Sequence, residues 1–372
     1  MHQICNSILE IQRDDYQNLI NDNPFMKYDF LAALESSGCA TDKTGWVPNH
    51  IAHINESGKL DGFTPAYLKY HSFGEFIFDH VWVDFYNQIK FKYYPKLLIA
   101  IPFTPVRSMK ILRSKNTTIK NKEMIRNIKL LLEKYDLSSA HFNFIQGDEI
   151  SQLNKEGFIS RISQQYIWKN NNYTSFNDFL ETLTSRKRKM INKERQSLKS
   201  DGIIIEWISG ENINEEQLTA FYKFYLDTCN RKWGNAYLNI EFFKTIISNM
   251  PDNLILMLAK KNNTNIGASL HIKSKDTLYG RYWGANDFYK FLHYELCYYQ
   301  AIEFAIKFKM SSIESGAGGL HKISRGYSPV ITHSAHYFQN QDIHKVIEDY
   351  LLKEIHYVNK EVDSLSKLSP FK

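Results

Sequence analysis

The residues best equipped for chemistry crowd into one stretch, Ser312 to Pro329, which reads S-I-E-S-G-A-G-G-L-H-K-I-S-R-G-Y-S-P. Glu314 closes a short strand-like run, and Gly316, Gly318 and Gly319 fall within the next five residues. A carboxylate or an imidazole in such a place can move a proton, and an unperturbed histidine such as His321 titrates near neutrality. Lys322 supplies a point charge and Arg325 a planar fork, two devices with which proteins hold phosphate. Glycines allow a left-handed backbone or close approach of a ligand. Glu314 can therefore be read as a proton acceptor or as an ion-pair partner, and the two cations as anion ligands or as a solvated turn.

A second cationic feature lies upstream. Between Arg186 and Lys199 there are seven basic residues and one acid, Glu194, which equals the net charge of +6 of the whole chain; the other 39 basic and 39 acidic residues cancel. Arg186, Lys187, Arg188 and Lys189 thus form a local patch fit for a polyanion, phosphate, nucleic acid or a membrane surface. The same pattern also suits a solvated helix face whose long stems cover apolar neighbours.

These groups need a scaffold to position them. At 372 residues the chain suits two domains, and 43% hydrophobic with 23% charged residues is the balance of a globular protein. In the first half an edge strand is expected over Met1–Arg13 and a helix over Tyr28–Ser36. Strands Trp46–Glu56 and Leu60–His71 form a hairpin, followed by a helix over Asp79–Phe91, strand Leu97–Phe103, helix Lys120–Tyr135 and strand Ala140–Ile145. The polar segment Gln146–Gly157 is expected to separate domain 1–150 from domain 151–372.

The second half reads as strand Ile159–Trp168, one long helix Phe176–Ser200, strand Ile203–Ile208, and helices Glu215–Arg231 and Ile240–Asn249. An antiparallel meander follows (Asn253–Lys260, Ile266–Ser274, Thr277–Trp283), then helix His293–Lys309, strand Ser312–Glu314 and a last helix Ile343–Tyr357. Leu296, Tyr299 and Ile306 are expected on the core side of the His293–Lys309 helix. The two halves share an order of elements, which predicts an α/β chain with mixed sheets in two related domains.

The four cysteines, Cys5, Cys39, Cys229 and Cys297, make no metal or C-x-x-C spacing, so buried thiols in a reducing compartment are expected and a metal is not. His293 and Glu295 sit two apart and share no helix face, which argues against their binding one ion. No apolar run approaches the roughly 20 residues of a membrane-spanning helix, and the first residues show no basic region followed by an apolar core. A cytoplasmic protein is expected.

Motifs along nearly the whole chain resemble the FemAB-like family, predicted N-acyltransferases of peptidoglycan biosynthesis or recognition built from two tandem GNAT-like domains. They are Asn23-Pro-Phe, Phe30-Leu-Ala-Ala-Leu-Glu-Ser-Ser-Gly38, Gly45-Trp-Val-Pro48, Gly74-Glu-Phe-Ile-Phe-Asp79, Tyr93-Tyr-Pro-Lys-Leu97 and Pro102-Phe-Thr-Pro-Val106. Ser185-Arg-Lys-Arg-Lys189, Lys232-Trp-Gly234, Leu278-Tyr-Gly-Arg-Tyr-Trp-Gly284 and His321-Lys-Ile-Ser-Arg-Gly326 complete the set. Two departures stand out. The family pattern G-A-Q-G-E-H-K is here Gly316-Ala-Gly-Gly-Leu-His-Lys322, with Gly318 and Leu320 in place of Gln and Glu, and Ile167 stands where the family often has His.

The resemblance implies transfer of an acyl or aminoacyl group to an amine, on a cell-wall precursor, from acyl-CoA or aminoacyl-tRNA. Glu314 or His321 would then be the base. Lys322, Arg325 and the glycine loop Gly316, Gly318 and Gly319 would bind a phosphate-bearing substrate. Arg281 and Trp283 would belong to a partial match, Arg281-Tyr-Trp-Gly284-Ala-Asn286, to the loop that holds the CoA pyrophosphate. The basic helix could hold tRNA. The departures at Gly318 and Leu320 favour the alternative, a non-catalytic protein that keeps the doubled scaffold to bind a phosphate-bearing or nucleic-acid ligand.

Overall fold

The computed structural model describes residues 2–19, 22–117, 119–232 and 234–372; Trp233 of the Lys232-Trp-Gly234 motif lies outside them. The chain divides into two compact units, Met1–Ser163 with Ile331–Lys360, and Gln164–Val330 with Glu361–Lys372. This division falls after Ser163, whereas the sequence reading places a boundary at 150. Gln146–Gly157 is no linker but carries a helix, Glu149–Lys155, whose Glu149 carboxylate is buried and accepts the backbone N–H groups of Lys110 and Ile111 at 2.9 and 2.7 Å. The first unit is also completed by residues that return from the far end of the chain.

In the first unit, strand β1 (His2–Cys5) is shorter than expected and gives way to helix α1 (Arg13–Gln17) and helix α2 (Tyr28–Ser36). The expected hairpin strands are each broken in two: β2 (Trp46–Pro48) and β3 (His50–Ile54), β4 (Leu60–Thr64) and β5 (Ala66–Lys69). Pro48 and Pro65 lack the N–H a ladder needs, and at the corner the His50 Nδ1 accepts the N–H of Ala66 at 3.1 Å. One half of each strand joins the sheet β1-β3-β4-β7, where β7 is Leu112–Arg113; the other halves join a sheet with β6 (Lys96–Ile99) and β8 (Ser139–Ile145). Helices α3 (His80–Gln88) and α4 (Asn121–Lys134) lie where the apolar spacing predicts, and α5 is Glu149–Lys155.

Strand β9 (Ile159–Lys169) leads into the second unit. The single helix expected over 176–200 is two, α6 (Phe176–Thr182) and α7 (Ser185–Ser200). The break comes where the chain end pairs with it: Leu183 bridges to Phe371, and Thr184 N–H donates to the Pro370 carbonyl at 2.9 Å. Strand β10 (Ile203–Ser209), helices α8 (Glu215–Lys232) and α9 (Ile240–Asn249), and the antiparallel meander β11 (Leu254–Lys261), β12 (Thr264–Lys273) and β13 (Thr277–Ala285) follow as expected.

The next helix starts as α10 (Leu292–Tyr294), widens into a π turn over Glu295–Tyr299 and continues as α11 (Gln300–Lys307). Leu296, Tyr299 and Ile306 are buried in the unit's main core, as their spacing predicts. Strand β14 (Ser312–Glu314) gives a sheet order β10-β11-β12-β13-β14-β9 in this unit. Strand β15 (Ser328–Phe338) returns to the first unit beside β8, and α12 (Gln341–Ser366) runs longer than expected at both ends. Among the described residues no helix is long and apolar enough to cross a membrane.

Candidate functional site

The second unit's sheet opens at the place where β13 and β14 part. The two run parallel only from Thr277–Tyr279 against Ser312–Glu314. Strand β13 then continues to Ala285, whereas the chain after Glu314 stays with β9 through hydrogen bonds of Tyr166 to Ser315 and Gly316, each 3.2 Å. A cavity of about 120 Å³ lies beside the freed stretch of β13, with Gly280, Arg281 and Trp283 on one side, Ser315 on another, and His293 and Cys297 from the helix that follows.

His271 on β12 brings a buried imidazole to this cavity. A register shift between Leu270 and His271 marks a bulge, a device that re-aims side chains. Ser269 and His271 are two apart on the strand and share a face. The Ser269 hydroxyl donates its one proton to the Leu296 carbonyl in the π turn (3.1 Å), so at 2.9 Å from the His271 Nε2 it can only accept. Nε2 is therefore the protonated nitrogen, and the buried Nδ1, which has no hydrogen-bond partner, carries the lone pair. Burial pulls the pKa of His271 down to about 4, so the ring is a neutral base at neutral pH. Gly280 faces it, and a Cβ there would meet Nδ1 at 3.8 Å, in ordinary van der Waals contact.

The glycine-rich stretch has the backbone expected of it and a different use for its charges. Gly316, Gly318 and Gly319 have φ of 72°, 74° and 90°, and a Cβ on Gly319 would strike the His321 ring at 2.4 Å. Lys322 is buried and its ammonium donates to the carbonyls of Ser315, Gly316 and Ala317 at 2.7, 3.1 and 3.1 Å. Its three donors thus clasp the loop from inside, where the sequence reading expects a phosphate ligand. Arg325 is likewise buried. Its Nη2 lies 2.9 and 2.8 Å from the two Glu194 oxygens, its Nη1 donates to the His321 carbonyl at 2.8 Å, and its guanidinium stacks 3.5 Å over Tyr294. The single acid of the basic helix is therefore an anchor for Arg325, and Tyr299 donates its hydroxyl to the same carboxylate.

His321 meets the Tyr298 hydroxyl at 2.9 Å. Glu314 is buried at the end of β14, and its charge supports the Arg281 guanidinium, which burial pushes below its ordinary value and which Tyr282 and Glu314 hold up. The segment from Arg281 to Gly284 is strand, not a phosphate loop, and a Cβ on Gly284 would lie 2.0 Å from the Phe224 carbonyl of α8. That glycine exists for packing. The Trp283 and His293 rings lie 4.8 Å apart between centroids, tilted by 54°, and Arg281 and Trp283 both line the cavity.

On α7, Lys187 donates to Ser324 at 2.8 Å and Arg195 pairs with Glu295 and Glu303 at 3.0 and 2.7 Å. Arg186 and Lys189 are exposed, Arg188 is half-buried, and none of the three pairs with an acid among the described residues.

In the first unit, two motifs quoted only for their resemblance meet. Lys96 Nζ donates to Glu75 at 2.9 Å, Asp79 at 2.5 Å and Ser72 at 3.0 Å, and Tyr93 donates to Asp79 at 2.7 Å, all buried but Ser72. Burial opposes the Asp79 carboxylate, but Lys96 and the hydrogen bonds around it hold its pKa below the ordinary value.

Reading the sequence missed Ser269, His271 and Cys297. A serine and a histidine two apart in the otherwise apolar run Ile266–Ile272 was the available signal.

The model of the FemAB-like family, described as peptidoglycan biosynthesis/recognition, matches residues 7–372. No curated protein matches the chain. Among solved structures it is similar to FemX, with 13% identity over 94% of this chain and 100% of that one and a TM-score of 0.52. It is also similar to a conserved protein of unknown function from Bacteroides thetaiotaomicron, with 12% identity over 90% and 99% and a TM-score of 0.56. A third is the C-terminal domain of an Agrobacterium fabrum protein assigned as a lysylphosphatidylglycerol synthetase, with 10% identity over 91% and 96% and a TM-score of 0.53. At these identities the likeness is one of fold, and it agrees with the α/β class and mixed sheets read from the sequence.

Proposed function

We propose that this chain, which belongs to the FemAB-like family, transfers an acyl or aminoacyl group to an amine of a cell-wall precursor at the cavity beside β13. The observation that carries the reading is the buried, neutral His271 with an unspent Nδ1 lone pair. An amine must give up a proton as it attacks a carbonyl carbon, and that proton, made strongly acidic as the C–N bond forms, can pass to a neutral imidazole even where burial weakens it as a base. The Arg281 guanidinium lines the same cavity and would stabilise the negative charge that develops on the carbonyl oxygen. Glu314 supports Arg281 in this scheme, and His321 orients Tyr298, so neither is the base.

The donor is acyl-CoA or aminoacyl-tRNA. Both are anionic, and Arg186, Arg188 and Lys189 offer a face that would attract either. A donor of this kind would place the reaction in the cytoplasm. The family's description supports a cell-wall acceptor. The test is to incubate the protein with a panel of acyl-CoAs and aminoacyl-tRNAs and a peptidoglycan-precursor peptide, following free CoA thiol or deacylated tRNA. Amine-dependent release from at least one donor is expected. Binding of donors without any turnover would favour a non-catalytic binding protein instead.

A further inference from the structure

We infer that Cys297 accepts the acyl group before the amine does, so that transfer passes through a thioester on this chain; this rests on the acyl-transfer reading above. Cys297 is the middle residue of the π turn Glu295–Tyr299, a feature often found at functional sites. It is half-buried, whereas Cys5, Cys39 and Cys229 are buried. Its side chain lines the cavity of about 120 Å³ that His271 also lines. The independent sign of a reactant there is His271 itself, which lines the same cavity, is about 1% exposed and has Nδ1 left without a partner. A thiol that shares a cavity with a neutral imidazole can be activated by it as a nucleophile.

A second group favours the thiolate. Burial pulls the Lys322 amine down to about 8, and Cys297 is the group that works against this fall, so the ammonium and the thiolate stabilise one another. The three loop carbonyls hold that ammonium in place.

In the first step His271 Nδ1 takes the thiol proton and the sulfur bonds to the acyl carbon. The bond from that carbon to the donor's sulfur or ester oxygen breaks, and the leaving group departs with the proton from His271. In the second step the acceptor nitrogen bonds to the acyl carbon and the carbon–sulfur bond breaks. The proton released by the nitrogen passes through His271 to the Cys297 thiolate. Nothing is oxidised or reduced.

The test uses p-nitrophenyl acetate, an activated ester that needs little recognition, with the whole chain. A burst of nitrophenolate equivalent to the protein is expected, with one acetyl group on the peptide carrying Cys297 that hydroxylamine removes. C297S should lose the burst, and H271Q should slow it by about 10²-fold. The same label and burst in C297S would overturn the relay. So would undiminished acyl transfer to amines by C297S together with no label at Cys297 in the wild type, an outcome that leaves the acyl-transfer reading standing. A wild-type protein that labels at Cys297 yet transfers to no amine would instead overturn that reading.

Discussion

Arg325 and Glu194 form a buried ion pair in which one guanidinium nitrogen lies 2.9 and 2.8 Å from the two carboxylate oxygens. It ties the segment after the glycine loop to α7, the helix that carries the chain's net charge. Breaking a buried pair by removing one partner leaves an uncompensated charge, at a cost of about 3–5 kcal/mol. E194Q and R325M should each lower the midpoint of denaturant unfolding accordingly, while E194Q/R325M together should lose clearly less than the sum. Additive losses would mean that the two groups do not act as a pair.

The glycines divide by the reason they are glycine. G284A should be strongly destabilising, because its Cβ would lie 2.0 Å from a backbone carbonyl that cannot move without α8. G316A meets nothing within 4 Å and should cost only the left-handed backbone, about 1 kcal/mol. Thermal unfolding of the two variants checks the order, and a reversed order would contradict the packing role of Gly284.

Acid should weaken the fold through His271. Its folded pKa of about 4 lies below the ordinary value near 6.5, so the unfolded chain binds the extra proton between these limits. The stabilising contribution of the neutral ring is complete above pH 6.5 and shrinks as pH falls toward 4, by at most roughly 1.4 kcal/mol per unit. His53 behaves in the same direction, so the slope has more than one source. Stability curves of wild type and H271Q should therefore converge on acidification from pH 7 to pH 5. A constant gap would show that His271 is not held neutral by burial.

The exposed part of α7 predicts salt-sensitive binding of polyanions. Replacing Arg186, Arg188 and Lys189 by Gln, and sparing Lys187 because it holds Ser324, should weaken bulk tRNA binding at low salt. The slope of log affinity against log salt should flatten by up to about 2. Binding that does not change would leave these side chains as a solvated face.

What could be read from the sequence was what repeats with the period of an element. Helices α2 and α4 and strand β8 follow their apolar residues, and the glycine loop was visible because only glycine sits easily at three positive φ values so close together. Strand β15 was hidden, since the side chains it buries include Thr332, Ser334 and His336, not an apolar row. The break between α6 and α7 depends on a pairing with Phe371, some 190 residues away, which no local pattern announces. At the site, Lys322 and Arg325 look like ligands in the sequence, and their internal partners, loop carbonyls and Glu194, come together only in the fold. His271 was passed over for the converse reason. What sets it apart is the Ser269 hydroxyl, the Leu296 carbonyl and burial, none of which lies in a motif.

The most direct test is the rate of acyl transfer to an amine by H271Q beside wild type, with the thermal midpoint measured on the same samples. Glutamine can keep the hydrogen bond to Ser269 but offers no basic nitrogen. A fall in kcat of about 10² to 10⁴ with the fold intact is the predicted result. Turnover at the wild-type rate in H271Q would contradict the assignment of this cavity as the place where the proton is taken.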